Sequence, residues 1–221
     1  MVNEHAEFWS KVAQNYDQVT DLQLGSAKIR SMVRERVAKE GHLGSLAEFG
    51  CGTGFFTQVL SGHADSVVAT DLSPIMLGLA KDRIKTTNVT FQVEDCQATS
   101  LPAETFDTAF MGLVIHFTEP DKTLAEMRRI LKHGGMLIVA NVGLGALTGL
   151  DRVRAVTRIL YRGVTGFRVK PPRGFAKHMM TEKQLCDLLS QSGFRVIGAE
   201  TIKDPARSSS IPVEYIRSVK V

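Results

Sequence analysis

Apolar residues along this chain recur in two rhythms. Within the first 40 residues Ile29, Val33 and Val37 stand four apart, with Arg30, Arg34, Arg36 and Lys39 on the other faces, so this region reads as helix. Gly41 and Gly44 break that pattern. Short apolar runs then alternate with helical spacing. "SLAEF" (45–49) predicts a strand and 54–61 the start of a helix. "SVVAT" (66–70) predicts a strand and "SPIMLGLAKDRI" (73–84) a helix, with Ser73 as N-cap and Pro74 in the first helical position. "VTFQV" (89–93) and "FDTAFMG" (106–112) are strands, 121–131 is a helix stopped by Gly134-Gly135, and "MLIVA" (136–140) is a strand. Such alternation predicts an α/β fold built on a mainly parallel sheet.

The last third differs. Residues 144–180 read as helical and then irregular, and 181–193 as a helix between Thr181 as N-cap and Gly193 as stop. "FRVIGAE" (194–200) and "EYIRSV" (214–219) read as strands whose connection is too short for a crossover helix, which predicts an antiparallel pair closing the sheet.

Composition adds limits. With 221 residues, 43% hydrophobic and 23% charged, the chain reads as one folded domain spanning 1–221, with cap elements at about 1–40 and 144–180. Three scattered cysteines, Cys51, Cys96 and Cys186, predict neither a disulfide framework nor a metal site and fit a reducing, cytoplasmic setting. The N-terminal residues lack the pattern of a signal peptide. The longest uncharged stretch, 134–150, is too rich in glycine and too short for a membrane span.

Chemistry concentrates at the strand ends. "EFGCGTGFF" places Gly50, Gly52 and Gly54 directly after the first strand, where a bare backbone can approach a ligand closely. The dinucleotide fingerprint G-x-G-x-x-G would need glycine at position 55, which is Phe55, and that argues against an NAD-dependent oxidoreductase. Asp71 ends the second strand, 21 residues after Gly50, where a carboxylate can accept both hydroxyls of a ribose. Asp95 ends the third strand, and an acceptor there beside a backbone N–H can read the edge of an adenine.

"AEFGCGTG", "VVATDLSPIML", "FQVEDCQATSLP", "FDTAFMGLVIHF" and "LAEMRRILKHGGMLIVAN" together resemble the class I S-adenosylmethionine (SAM)-dependent methyltransferases, of the small-molecule type related to the ubiquinone/menaquinone-pathway enzymes. "FWSKVAQNYD" (8–17) resembles the family's N-terminal element more loosely. The resemblance implies a Rossmann-like, mostly parallel seven-stranded sheet with an antiparallel last strand and helices on both faces. It implies SAM as cofactor and in-line methyl transfer to an O, N, S or C atom of a small-molecule acceptor. Residue by residue, Gly50, Gly52 and Gly54 would lie under the methionine part of SAM, supported by Glu48. Asp71 would hold the ribose, Leu72 and Met76 the adenine face, Asp95 adenine N6 and the Cys96 N–H its N1. Leu113 would border the cofactor and Tyr16 close over its methionine end. Where many relatives read "LHHL" this chain has "IHFT" (115–118), and "LKHGG" replaces "LKPGG". A SAM-binding partner or sensor without catalysis is the alternative.

For a protonated nucleophile His116 is the candidate base, expected near the ordinary imidazole pKa of about 6.5. Phe117 and His178 are weaker substrate-side candidates. Residues 151–177 carry eight basic side chains against Asp151 alone, a net +7 in a chain of net +4. In 147–162, Leu147, Leu150, Val153, Val156 and Leu160 would share one helical face, and Arg154, Arg158 and Arg162 another. Three uses fit this: a cap helix packed on the domain, a lid for an anionic substrate, or peripheral contact with a membrane or lipid-like acceptor. Nucleic acid is disfavoured, because a stacking-rich surface is missing.

Overall fold

A computed structural model describes residues 2–143, 147–155, 157 and 178–221. Its sheet has seven strands: β1 (Ser45–Phe49), β2 (Ser66–Asp71), β3 (Val89–Val93), β4 (Phe106–Gly112), β5 (Leu131–Val142), β6 (Phe194–Ile202) and β7 (Val213–Lys220). They lie in the order β3-β2-β1-β4-β5-β7-β6. Pairings among β1 to β5 are parallel, whereas β7 runs antiparallel to both β5 and β6. The short β6–β7 connection thus acts as its length predicts.

Strand alternation sends successive side chains to opposite faces. Phe110, Ile138, Ala140 and Tyr215 pack on one side with Ile29, Val33 and Val37 of helix α3 (Lys28–Val37) and Leu60 of α4 (Thr57–Leu60). Ala109, Met111, Leu137, Val139 and Ile216 pack on the other. There they meet Leu124, Met127 and Ile130 of α6 (Pro120–Ile130), and Leu185 and Leu189 of α8 (Glu182–Gln191). Helix α5 (Pro74–Arg83) starts as the sequence predicts, with the Ser73 hydroxyl accepting from the Met76 N–H and Pro74 following it.

Four expectations shift. The N-terminal region is not one helix but α1 (Val2–Val12), a 3-10 turn (Ala13–Asn15), α2 (Tyr16–Leu24) and α3, with Gly25 at φ +77° separating the last two. The helix expected from 54 begins only at Thr57, because Gly54 sits at φ +80°. Helix α6 ends at Ile130, within a residue of its expected end, but β5 starts at once at Leu131 rather than at Met136, and the register slip between Phe106 and Thr108 absorbs Lys132–Gly135 as a bulge. Finally, residues 149–155 are helical (α7), but Leu150 is 72% and Val153 57% exposed, while Leu147 and Ala155 are buried. The expected apolar face is therefore not the packed one in this stretch. Val156, Arg158, Leu160, Arg162 and the rest of 158–177 lie outside the described residues.

Candidate active site

The strand order reverses between β1 and β4, and in open α/β sheets that switch point, at the carboxyl ends of the strands, is where ligands bind. Both candidate loops meet there. Gly50, at φ +66°, lies so close to the loop after β4 that an added Cβ would sit 2.5 Å from Val114 Cγ2. Gly52 is also left-handed, at φ +54°, and its missing side chain faces the Tyr16 ring, 3.5 Å away. Gly54 instead serves packing, since a Cβ would meet Ala80 at 3.2 Å. Across the switch point Leu113 holds φ +62°, a left-handed conformation that costs a branched side chain of order 1–3 kcal/mol.

Two buried carboxyls flank the glycine turn. Asp71 accepts the Gly52 N–H on Oδ2 and the Ser73 N–H on Oδ1, both at 2.9 Å. Burial outweighs these bonds and raises its pKa to about 6. Glu48 accepts the Thr57 hydroxyl at 2.6 Å, and burial pushes it up to about 8. Asp95 is only partly buried, and its Oδ1 accepts from the Gln97 N–H and side-chain amide. Burial lifts the neighbouring Cys96 thiol to about 12, so that thiol stays protonated. Leu72 is partly exposed in an open groove of about 510 Å³, lined also by Ala6, Glu7, Ser10, Lys11 and Pro74. Met76, by contrast, is buried in a small cluster with Phe8, Val12, Ala13 and Val19.

On the far side, the 3-10 turn Ile115–Phe117 carries His116, which is 4% exposed and whose Nδ1 has no partner. Burial depresses its pKa to about 3, which corrects the expectation of an ordinary imidazole value. Phe117 meets Trp9 edge-on at 4.9 Å and His116 at 3.9 Å, and Trp9 in turn meets Tyr16 at 5.9 Å. His178 Nε2 lies 3.3 Å from Glu119 Oε2, an ion-pair distance without hydrogen-bond alignment. Arg154 is exposed and, among the described residues, its side chain pairs with Asp151, at 3.6 Å; Arg158 lies outside the described residues.

Sequence reasoning passed over one set altogether. Asp17, Arg30, Thr53 and Arg83 meet in a polar knot beside the glycine turn, up to 66 residues apart along the chain. Charges so widely spaced leave no periodicity to detect.

This strand order, with a glycine turn after β1 and a buried acid closing β2, is that of the class I, Rossmann-like methyltransferase fold. Residues 47–139 match the family model for the methyltransferase domain. A malonyl-[acyl-carrier protein] O-methyltransferase of Paenibacillus sp. is 25% identical over 97% of this chain and 78% of its own length. A ubiquinone/menaquinone biosynthesis C-methyltransferase of Cellvibrio japonicus is 32% identical, covering 61% of this chain and 57% of its own length. Among solved structures, a SAM-dependent methyltransferase of Aquifex aeolicus superposes with TM-score 0.63 at 19% identity, covering 95% of this chain and 97% of its own. Residues 47–139 thus carry a methyltransferase domain, and SAM is the cofactor that such a domain and its structural neighbours imply. Among the described residues no helix is long and apolar enough to cross a membrane, and none group as a metal site.

Proposed function

We propose that the protein transfers the methyl group of SAM to a small-molecule acceptor, with the cofactor over the Gly50–Gly54 turn. The observation that carries this reading is the bare left-handed turn facing a carboxylate whose two oxygens each spend one lone pair on backbone N–H groups. The remaining lone pairs of Asp71 suit a ribose diol. Asp95 and the Cys96 N–H suit an adenine edge, Leu72, Met76 and Leu113 its apolar surroundings, and Glu48 braces the turn from beneath. Tyr16 closes the methionine end and, with Trp9 and Phe117, excludes water. When bound, SAM supplies a methyl on a sulfonium, an electrophile with a good leaving group. The chain's task is then to orient a nucleophile and let its proton leave. His116 Nδ1 is neutral at physiological pH and unpartnered, so it suits a hydrogen bond that orients the acceptor's nucleophilic group, while a pKa of about 3 makes it too weak a base to keep that group's proton, which passes to solvent after transfer.

The relatives named above methylate at oxygen and at carbon, so the acceptor atom is read from neither. The basic excess of 151–177, with Arg154 exposed on α7, favours an anionic or lipid-like acceptor. Phe117 and His178 complete the substrate side. Incubation with radiolabelled SAM and a panel of anionic metabolites and lipids tests this reading: label transferred to one acceptor class supports it. Tight cofactor binding with no acceptor labelled across the panel overturns it in favour of a non-catalytic SAM-binding protein.

A further inference from the structure

Strand β3 ends at Val93, and the chain that follows carries Asp95 along the rim of the crevice. The Glu94 N–H donates to the Asp71 carbonyl at 3.1 Å, so Asp95 stands one residue beyond a direct tie to the residue expected at the ribose. From there the loop runs to α6 and is pinned to it. Glu126 Oε1 accepts the Thr99 N–H at 2.9 Å and the Thr99 hydroxyl at 2.5 Å, and Arg129 Nη2 donates to the Leu101 carbonyl at 2.7 Å. These contacts fix the far end of the loop, and none of them involves Asp95.

Gln97 joins Asp95 to that frame. Its Nε2 donates to Asp95 Oδ1 at 3.2 Å, beside the Gln97 N–H on the same oxygen at 3.0 Å, and its Oε1 accepts the Glu119 N–H at 3.0 Å. The backbone bond closes a turn within the loop and moves with it, whereas the amide reaches from Asp95 to a second element, the start of α6. The partners dictate which way the amide points. An ionised carboxylate can only accept and a backbone N–H can only donate, so a side chain between them needs a donor at one end and an acceptor at the other. Glutamine meets both demands. Glutamate would meet one and set a second negative charge against Asp95. With two donors on Oδ1, Asp95 turns Oδ2 to a ligand.

We propose that Gln97 is a positioning residue for base recognition: it aims Asp95 at the exocyclic amine of the adenine and so makes the site prefer adenosine to a nucleoside with a carbonyl at that place. The proposal rests on the reading of Asp95 as the acceptor for adenine N6. The chemistry sets the direction of the preference. The adenine amino group donates to the Asp95 carboxylate, and the neighbouring N1 accepts from the Cys96 N–H. In hypoxanthine both are reversed, since a carbonyl oxygen faces the carboxylate and N1 carries a proton. A site built to pair with one pattern rejects the other because its own polar groups are left unpaired. That rejection needs the carboxylate held in place, because a mobile one turns away from the carbonyl and takes a water instead.

Isothermal titration with S-adenosylhomocysteine and with S-inosylhomocysteine, its hypoxanthine counterpart, gives the preference as a ratio of dissociation constants. The proteins are the wild type, Gln97→Ala, Gln97→Glu and Asp95→Ala. Gln97→Ala is expected to weaken S-adenosylhomocysteine about three- to tenfold, as for the loss of one hydrogen bond, while S-inosylhomocysteine changes less than about twofold, so the preference falls accordingly. Gln97→Glu keeps an acceptor for the Glu119 N–H and carries the test should Gln97→Ala fold poorly; its preference should fall at least as far. A loop that is merely loosened would weaken both ligands alike. Parallel losses, or an unchanged preference in either variant, would overturn the role of Gln97. Asp95→Ala separates the underlying reading. If it keeps the wild-type preference, Asp95 does not read the base; if it loses the preference while the Gln97 variants keep it, the positioning role alone fails.

Discussion

The buried imidazole of His116 makes acid sensitivity a quantitative test of the site. Its pKa is about 3 in the folded protein against about 6.5 for an exposed imidazole, and burial is the cause. The unfolded chain therefore binds a proton that the folded chain refuses. This contribution is fully present above about pH 6.5 and is lost as pH falls toward 3. At pH 5 the gap is about 1.5 pH units, or about 2 kcal/mol, relative to pH 7.5. Glu48 and Asp71, held above their ordinary values by burial, act with the opposite sign, weakening the fold as pH rises between about 4 and 8. Their effect cancels when a variant is compared with the wild type at each pH. His116→Phe should thus lose about 2 kcal/mol less than the wild type between pH 7.5 and pH 5, as read by urea denaturation followed by far-UV circular dichroism. Identical pH dependence in the two proteins would refute the buried, neutral imidazole. The same pKa predicts that the acid limb of the kcat profile shows no ionisation near 6.5, and one that appears there and vanishes in His116→Gln would refute it too.

Gly50→Ala should be among the costlier single changes. It imposes a left-handed φ of +66° on a Cβ that would lie 2.5 Å from Val114, together about 2–4 kcal/mol, and should lower Tm by roughly 5–15 °C in a thermal melt. A Tm within a degree of the wild type would show that the turn is looser than described. Arg154→Glu reverses an exposed charge that pairs, among the described residues, with Asp151 at 3.6 Å, so stability should change by less than about 0.5 kcal/mol while KM for an anionic acceptor rises. Unchanged KM, with unchanged binding to anionic vesicles, would leave α7 a plain surface helix.

How far the sequence could be read depended on the range of the interactions. The strands and α5 were legible because local pattern settles them: "SLAEF" is buried along β1, and Ser73-Pro74 supplies a cap that needs no distant partner. The glycine turn and Asp71 were legible as a unit because only one short helix and one strand separate them and both lie at strand ends. The β5 boundary was misread because Gly134-Gly135 looks like a helix stop, while pairing of Leu131 with Phe106 recruits the preceding residues into the sheet. The state of His116 was hidden, since its pKa depends on what tertiary packing takes away, namely water. The Asp17 knot was hidden for a related reason, joining α2, α3, the glycine turn and α5 through contacts 13 to 66 residues apart.

The central claim is that the Gly50–Gly54 turn and Asp71 form a SAM site. Isothermal titration of the wild type and Asp71→Ala with S-adenosylhomocysteine, each with circular dichroism to confirm folding, tests it most directly. The account predicts saturable binding by the wild type and a loss of tenfold or more in the folded variant, as expected when two ribose hydroxyls lose a charged acceptor. Equal affinity in the two proteins, or binding of NAD in place of S-adenosylhomocysteine, would contradict it.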